Sequence, residues 1–160
     1  MPRPSRPPSD PAGRWLDNTG TVELPPIEMS DAAPAADQAA LREALLEFNY
    51  RATGYRDGRS LSCFLHEGEE LIAGIEGFTW GGYARIEYLW VAEQHRGAGV
   101  GSRLLRAAED EARSRGCASI VLDTHSFQAP EFYRQRGYVE VGATADTPRG
   151  HSQVLFQKAL

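Results

Sequence analysis

The sequence predicts a mixed α/β domain built on a central, mostly antiparallel sheet flanked by helices. Three observations predict it. Two strand-like runs, LSCFLHE and ELIAGIEGFTW, meet at a tight turn around Gly68, and a third, GGYARIEYLWV, enters through Gly81 and Gly82. Three antiparallel strands therefore follow one another before any crossover. Next, Val100, Leu104, Ala108 and Ala112 make an apolar stripe from about Gly99 to Arg115, opposed by Arg103, Arg106, Glu109, Asp110 and Arg113, the pattern of an amphipathic helix. The β-branched run ASIVLD after that helix reads as a parallel central strand.

The remaining elements fall into place around these. Seven of the ten prolines lie in the first 26 residues, which are poor in aliphatics and carry no periodicity. Residues 1–21 are therefore expected to be a disordered tail, either a plain extension or a polyproline arm for a partner, and the folded domain to span residues 22–160. VELPPIEMS reads as a short edge strand interrupted by proline. Leu41, Leu45 and Phe48 at helical spacing predict a helix that ends by Gly54. Gly116 stands where the long helix should stop. APEFYRQRG is a short helix with Pro130 in its first turn and Gly137 closing it. YVEVGA and HSQVLFQKA complete the sheet.

Composition removes several classes of function. A net charge of −5 argues against a general affinity for nucleic acid, whose footprint is a basic face. Nearly all the basic residues are arginine, and Lys158 is the one lysine. No apolar run approaches the roughly 18 residues of a membrane span, and no apolar segment marks an export signal, so a soluble, cytoplasmic protein is expected. Cys63 and Cys117 lack CxxC spacing and are expected to serve buried packing; His66, His95 and His151 show no metal-ligand spacing. No metal site is expected.

The stretch LWVAEQHRGAGVGSRLL concentrates the chemistry. Three glycines stand between an apolar run and a helix, although glycine disfavours both. A helix start leaves amide groups without intrahelical partners and carries partial positive charge. Glycines at 97, 99 and 101 would let an anion approach those amides, with Arg96 and Arg103 adding charge-assisted contacts. A Walker loop requires a lysine, absent here, and a dinucleotide fingerprint requires a different third glycine and a preceding βαβ strand. A tight turn with no ligand is the remaining alternative.

The pattern Arg96-x-x-Gly99-x-Gly101, placed after LWV and before the apolar-striped helix, resembles the pyrophosphate loop of the GCN5-related N-acetyltransferases (GNAT). SFQAPEFYRQRGYVEVG resembles the same family's carboxy-terminal signature through Ala129, Tyr133, Gly137 and Tyr138, and GHSQVLFQKAL its closing strand. The resemblance runs from about Ile27 to Leu160. It implies a sheet whose central strands splay apart, acetyl-coenzyme A as acetyl donor, a primary amine as acceptor, and direct transfer in a ternary complex. It further implies that Arg96, Gly97, Ala98, Gly99, Val100, Gly101 and Ser102 hold the pyrophosphate. Leu89, Trp90 and Val91 would pair with the pantetheine arm, one of their amides polarising the thioester carbonyl.

Tyr133 matches the position of the family's general acid and is either that acid or an aromatic packing under the coenzyme. Glu87 shares a strand face with Leu89 and Val91. A carboxylate on an apolar central strand is either a base for the substrate ammonium or half of a salt bridge. Where the family often carries asparagine, seven residues before the tyrosine, this chain has Ser126, which would supply one pantetheine contact. His125, beside Asp123 at the end of the central strand, is either a second base, a substrate contact or structural. Asn49 and Tyr55 are candidates for the acceptor site, as is Arg56. The acceptor is expected to be a small molecule. A protein substrate, and a silent acyl-coenzyme A-binding module, are the alternatives. A second copy of the chain is a candidate partner.

Overall fold

The structure, a computed structural model, describes residue 24 and residues 26–160; the expected tail over residues 1–21 lies outside them. The chain divides into two units, Met1–Leu45 and Leu46–Leu160, and the second holds the whole sheet. Of the expected edge strand in VELPPIEMS, residues 24 and 26–30 form no strand. Proline has no amide hydrogen to give a ladder, which deprives this short stretch of donors. The first helix, α1, spans Ala35–Thr53, as the leucine spacing predicts, yet it buries no residue. Leu41, Leu45 and Phe48 are 72%, 59% and 67% exposed, so the stripe marks helical periodicity without marking core.

Six strands come after α1: β1 (Arg59–Glu67), β2 (Glu70–Trp80), β3 (Tyr83–Val91), β4 (Ser119–His125), β5 (Val139–Ala145) and β6 (Ser152–Ala159), in one sheet of order β1-β2-β3-β4-β6-β5. All neighbours are antiparallel except β3 and β4, which run parallel. That arrangement is the mixed, mostly antiparallel sheet that the strand and helix patterns predict. A long helix, α2 (Val100–Ser114), connects β3 to β4, and a five-residue helix, α3 (Pro130–Arg134), lies between β4 and β5. Gly116 (φ +79°) and Gly137 (φ +81°) end the two helices in the left-handed region that side chains disfavour.

The core lies between α2 and one face of the sheet. Leu104, Leu105, Ala108 and Ala112 pack against Leu61, Ile75, Ile86, Ile120, Leu122 and Phe156. Burying each large aliphatic contributes about 1.5–3 kcal/mol. One residue of α2 departs from the predicted pattern. Glu109, expected on the solvated face, is buried, where its carboxylate accepts from Tyr138 Oη (3.0 Å) and from Lys158 Nζ (2.9 Å to each oxygen). Buried carboxylates persist only when paired in this way. Cys117 is buried as expected, and burial pushes its thiol pKa up, whereas Cys63 is only half-buried.

Strand β3 carries two irregularities. Its pairing with β2 slips between Glu76↔Tyr88 and Gly77↔Ile86, leaving Glu87 as an extra, bulged residue. At the slip the strands come so close that a Cβ on Gly77 would stand 2.0 Å from the Arg85 carbonyl oxygen. Gly77→Ala is therefore expected to destabilise the domain by about 2 kcal/mol or more, since backbone must move to admit the methyl; chemical denaturation of both proteins measures it. The second irregularity is the short partnership with β4. β3 and β4 pair only from Tyr83↔Ser119 to Ile86↔Leu122, although β3 continues to Val91 and β4 to His125. Beyond Ile86 the two strands part. Among the described residues no helix is long and apolar enough to cross a membrane.

Candidate active site

The parting of β3 and β4 opens a cavity of about 760 Å³, bounded by the ends of both strands, the start of α2 and helix α3. From Glu87 to Val91 the β3 edge that would face β4 has no strand partner there, so its backbone groups are open to a ligand that can pair with them. Glu87, Leu89, Trp90 and Val91 all border the cavity.

At one end stands the glycine loop. Gly97 (φ +77°) and Gly99 (φ +81°) occupy the left-handed region, and no atom lies within 4 Å of where a Cβ would stand on either. Gly99 caps α2 without any side-chain hydrogen bond. The first helical bond runs from Arg103 N to Gly99 O (3.1 Å), which leaves the amides of Val100, Gly101 and Ser102 without intrahelical partners. Gly101 is more closely surrounded: a Cβ there would meet the Phe132 ring at 3.5 Å, an ordinary van der Waals contact. Arg96 ties the loop back to β3, donating Nε to Val91 O (3.0 Å). Arg96, Gly97, Gly99, Val100, Gly101 and Ser102 border the cavity, whereas Ala98 does not.

Tyr133 stands on the far wall. It is buried, packed edge-on to Phe132 and Tyr138 and tilted against Phe156, with its residue lining the cavity. Burial first, and the negative charge of Asp123 second, push its phenol pKa above the ordinary 10.0. A tyrosine so placed stays protonated across working pH and can donate a proton. Asp123 itself lies one residue beyond the last β3–β4 pair. It accepts from Arg85 Nη2 (2.6 Å) and Gln153 Nε2 (2.5 Å).

Glu87 differs from expectation in its setting. It is exposed, at the bulge, and forms no ion pair among the described residues, so it is not a carboxylate inserted into an apolar strand. The remaining expected residues lie off the cavity. His125 stacks on Phe127 (centroids 5.2 Å), a cavity residue, and its ring faces Gln128 (Nδ1 to Oε1, 3.3 Å). Ser126 is taken up by β6, its Oγ accepting from Ser152 N (3.1 Å). Tyr55 packs on Gly81 in the β2–β3 turn, at the opposite end of β3 from the cavity. Asn49, on α1, does not border the cavity either. Propensity and spacing place a residue along its own element and carry no information on which end of the sheet that element meets.

Sequence reasoning passed over Phe132 and Arg136. Arg136 stacks on the Phe132 ring (3.6 Å to the centroid), donates Nη1 to Phe132 O (2.6 Å) and donates Nε to Ser102 Oγ (3.1 Å). The signal was an aromatic and an arginine four residues apart at the end of a short helix. Among the described residues no group of His, Cys, Asp and Glu is placed to hold a metal ion.

Comparison with known proteins agrees with this geometry. Residues 25–138 match the acetyltransferase (GNAT) family. An acetyltransferase of Agrobacterium fabrum is 31% identical over 131 residues, covering 81% of this chain and 96% of that protein. The blasticidin-S acetyltransferase of Streptomyces morookaense is 39% identical over 92 residues, 57% of this chain and 68% of its own. A crystal structure of an acetyltransferase from Bacillus cereus superposes with a TM-score of 0.71 at 32% identity, covering 83% of this chain and 98% of that one.

Proposed function

Because the chain belongs to the acetyltransferase (GNAT) family and is an acetyltransferase, we propose that it moves an acetyl group from acetyl-coenzyme A to a primary amine of a small molecule. One observation carries this reading. A single cavity joins the uncapped amides of α2 to the open edge of β3 and to Tyr133. That is the order in which a pyrophosphate, an amide-bearing arm and a thioester would succeed one another along one extended ligand. The residues fit such a ligand. Bare amides and helix polarity suit phosphate, an unpaired strand edge suits the amides of pantetheine, and a protonated phenol suits a departing thiolate. The kinship with a blasticidin-S acetyltransferase favours a small-molecule acceptor.

In this reading the acetyl donor supplies the thioester, and the protein supplies position, polarity and protons. An amide of Leu89, Trp90 or Val91 faces the thioester carbonyl and stabilises the charge that develops on its oxygen. Tyr133 gives its proton to the leaving sulfur as the carbon–sulfur bond breaks, and the second proton lost by the acylated nitrogen returns to Tyr133 through solvent. Glu87, exposed at the cavity edge, receives a proton from the acceptor ammonium directly or through water. Transfer is direct, with both substrates held together, so that proximity supplies much of the acceleration.

Two experiments test it. Acetyl-coenzyme A should raise the Tm by mass action, whereas adenosine at equal concentration should do far less; equal shifts would sink the anion-loop assignment. A panel of amines assayed for thiol release then identifies the acceptor, and silence across amines that include blasticidin-type compounds would count against small-molecule transfer. With an acceptor in hand, Glu87→Gln is expected to lower the rate most at low pH, where the amine is protonated and depends on a base. At high pH, where the amine is already free, activity should partly recover. A loss that is uniform in pH would leave Glu87 without a role in proton transfer.

A further inference from the structure

A second, smaller pocket of about 210 Å³ adjoins the first. Ser102 and Arg136 border both, and Arg106, Glu109 and Lys158 complete its walls. Its walls carry more positive than negative charge. Arg51, Arg56, Arg85, Arg113, Arg115 and Arg134 each reach a carboxylate. Among the described residues Arg106 and Arg136 reach none, as is true of Arg42, Arg59, Arg96, Arg103 and Arg149, but these two stand together in one pocket. Within the pocket, Glu109 and Lys158 neutralise one another at 2.9 Å, so two guanidinium charges remain uncompensated in a protein whose net charge is −5.

We propose that this pocket is a phosphate-monoester site, occupied in the working enzyme by the ribose 3′-phosphate of coenzyme A. Two uncompensated guanidinium groups match a phosphate dianion in charge, and their planar donor sets match its oxygens. Arg136 is held ready for the task. The Phe132 ring supports its flat face, while Ser102 Oγ and Phe132 O hold its donors in direction, so binding orders little that is not ordered already. The pocket is also in the right place. It opens beside the first turn of α2, where the pyrophosphate is assigned, and shares two residues with that wall. The inference rests on the coenzyme A reading of the larger cavity and adds a specificity to it: this enzyme discriminates the nucleotide with a 3′-phosphate from the one without.

Isothermal titration of the wild type and of Arg106→Gln with coenzyme A and with 3′-dephospho-coenzyme A tests it. The wild type should bind coenzyme A at least about tenfold more tightly than the dephospho form, the scale of a charge-assisted contact. In Arg106→Gln that ratio should fall to about two- or threefold, through loss of affinity for coenzyme A alone. Arg136→Lys, which keeps the charge but loses the planar fork, should reduce the ratio as well. A wild-type ratio near one overturns the proposal, as does a large ratio unmoved in both variants. If neither nucleotide binds the wild type, the coenzyme A reading itself fails. Inorganic phosphate supplies the last arm. Should millimolar phosphate tighten binding of the dephospho form in the wild type and not in Arg106→Gln, the pocket is a phosphate site filled from solution.

Discussion

Replacing Tyr133 by phenylalanine is expected to lower kcat at least tenfold while leaving acetyl-coenzyme A affinity nearly unchanged. The substitution removes the hydroxyl and keeps the ring, whose packing against Phe132, Tyr138 and Phe156 should persist. General acids contribute about 10²–10⁴-fold, so tenfold is a demanding but safe threshold. The pH profile adds a second readout. Burial first, and Asp123 second, hold the phenol pKa above the ordinary 10.0, so the acid form predominates below that value and is lost as pH rises through the raised pKa. The wild type should therefore show no alkaline decline attributable to this residue below about pH 9. Steady-state kinetics over pH with the wild type and the variant reads both effects. Full activity in Tyr133→Phe would make the residue a packing group and assign the proton to another donor.

The largest loss of stability is expected for Glu109→Ala. This carboxylate is 8% exposed and holds together α2, Tyr138 and β6 through Lys158, itself 23% exposed. Its removal leaves a partly buried ammonium and a buried phenol without their acceptor. Breaking a buried pair costs about 3 kcal/mol or more, which in a domain of this size lowers Tm by roughly 10 °C. The paired change Glu109→Leu with Lys158→Met should recover much of that loss, because it removes both charges together. Urea titration of the three proteins measures the effects. A single variant within about 0.5 kcal/mol of the wild type would show that the pair contributes nothing.

How much of the fold and the site was legible in the sequence depended on distance along the chain. The glycine loop, the long helix it opens and the Tyr133 signature are local patterns, in which turn chemistry and helical periodicity act over a few residues. They appear in the structure where the sequence puts them. Glu109 was misread because, among Arg103, Arg106 and Arg113, it looks like part of a solvated face; its partners Tyr138 and Lys158 come 29 and 49 residues later. Periodicity reports which side of a helix a residue occupies, and only the fold reports what meets it there. Tyr55 shows the same limit at larger scale, since its helix-terminal segment meets the turn end of the sheet and not the open end. Residues 24 and 26–30 of the edge strand expected at VELPPIEMS form no strand, and the local reason is the missing amide donor at Pro26. Glu87 was placed on the right strand, but its exposure depended on a bulge that no alternation of residues announced.

The pairing of Lys158 with Glu109 also makes the protein an unusually quiet background for amine chemistry. The chain has one lysine, and its nitrogen is clasped by both oxygens of a buried carboxylate. A nitrogen held by both carboxylate oxygens is a poor nucleophile, so amine-reactive esters in solution find almost no lysine target on the native molecule. Acetyl incorporated into an added amine is then distinguishable from acetyl lost to the enzyme itself. The same feature turns an amine-reactive label into a sensor, because modification at Lys158 requires its ion pair with Glu109 to open and reports how often that contact breaks.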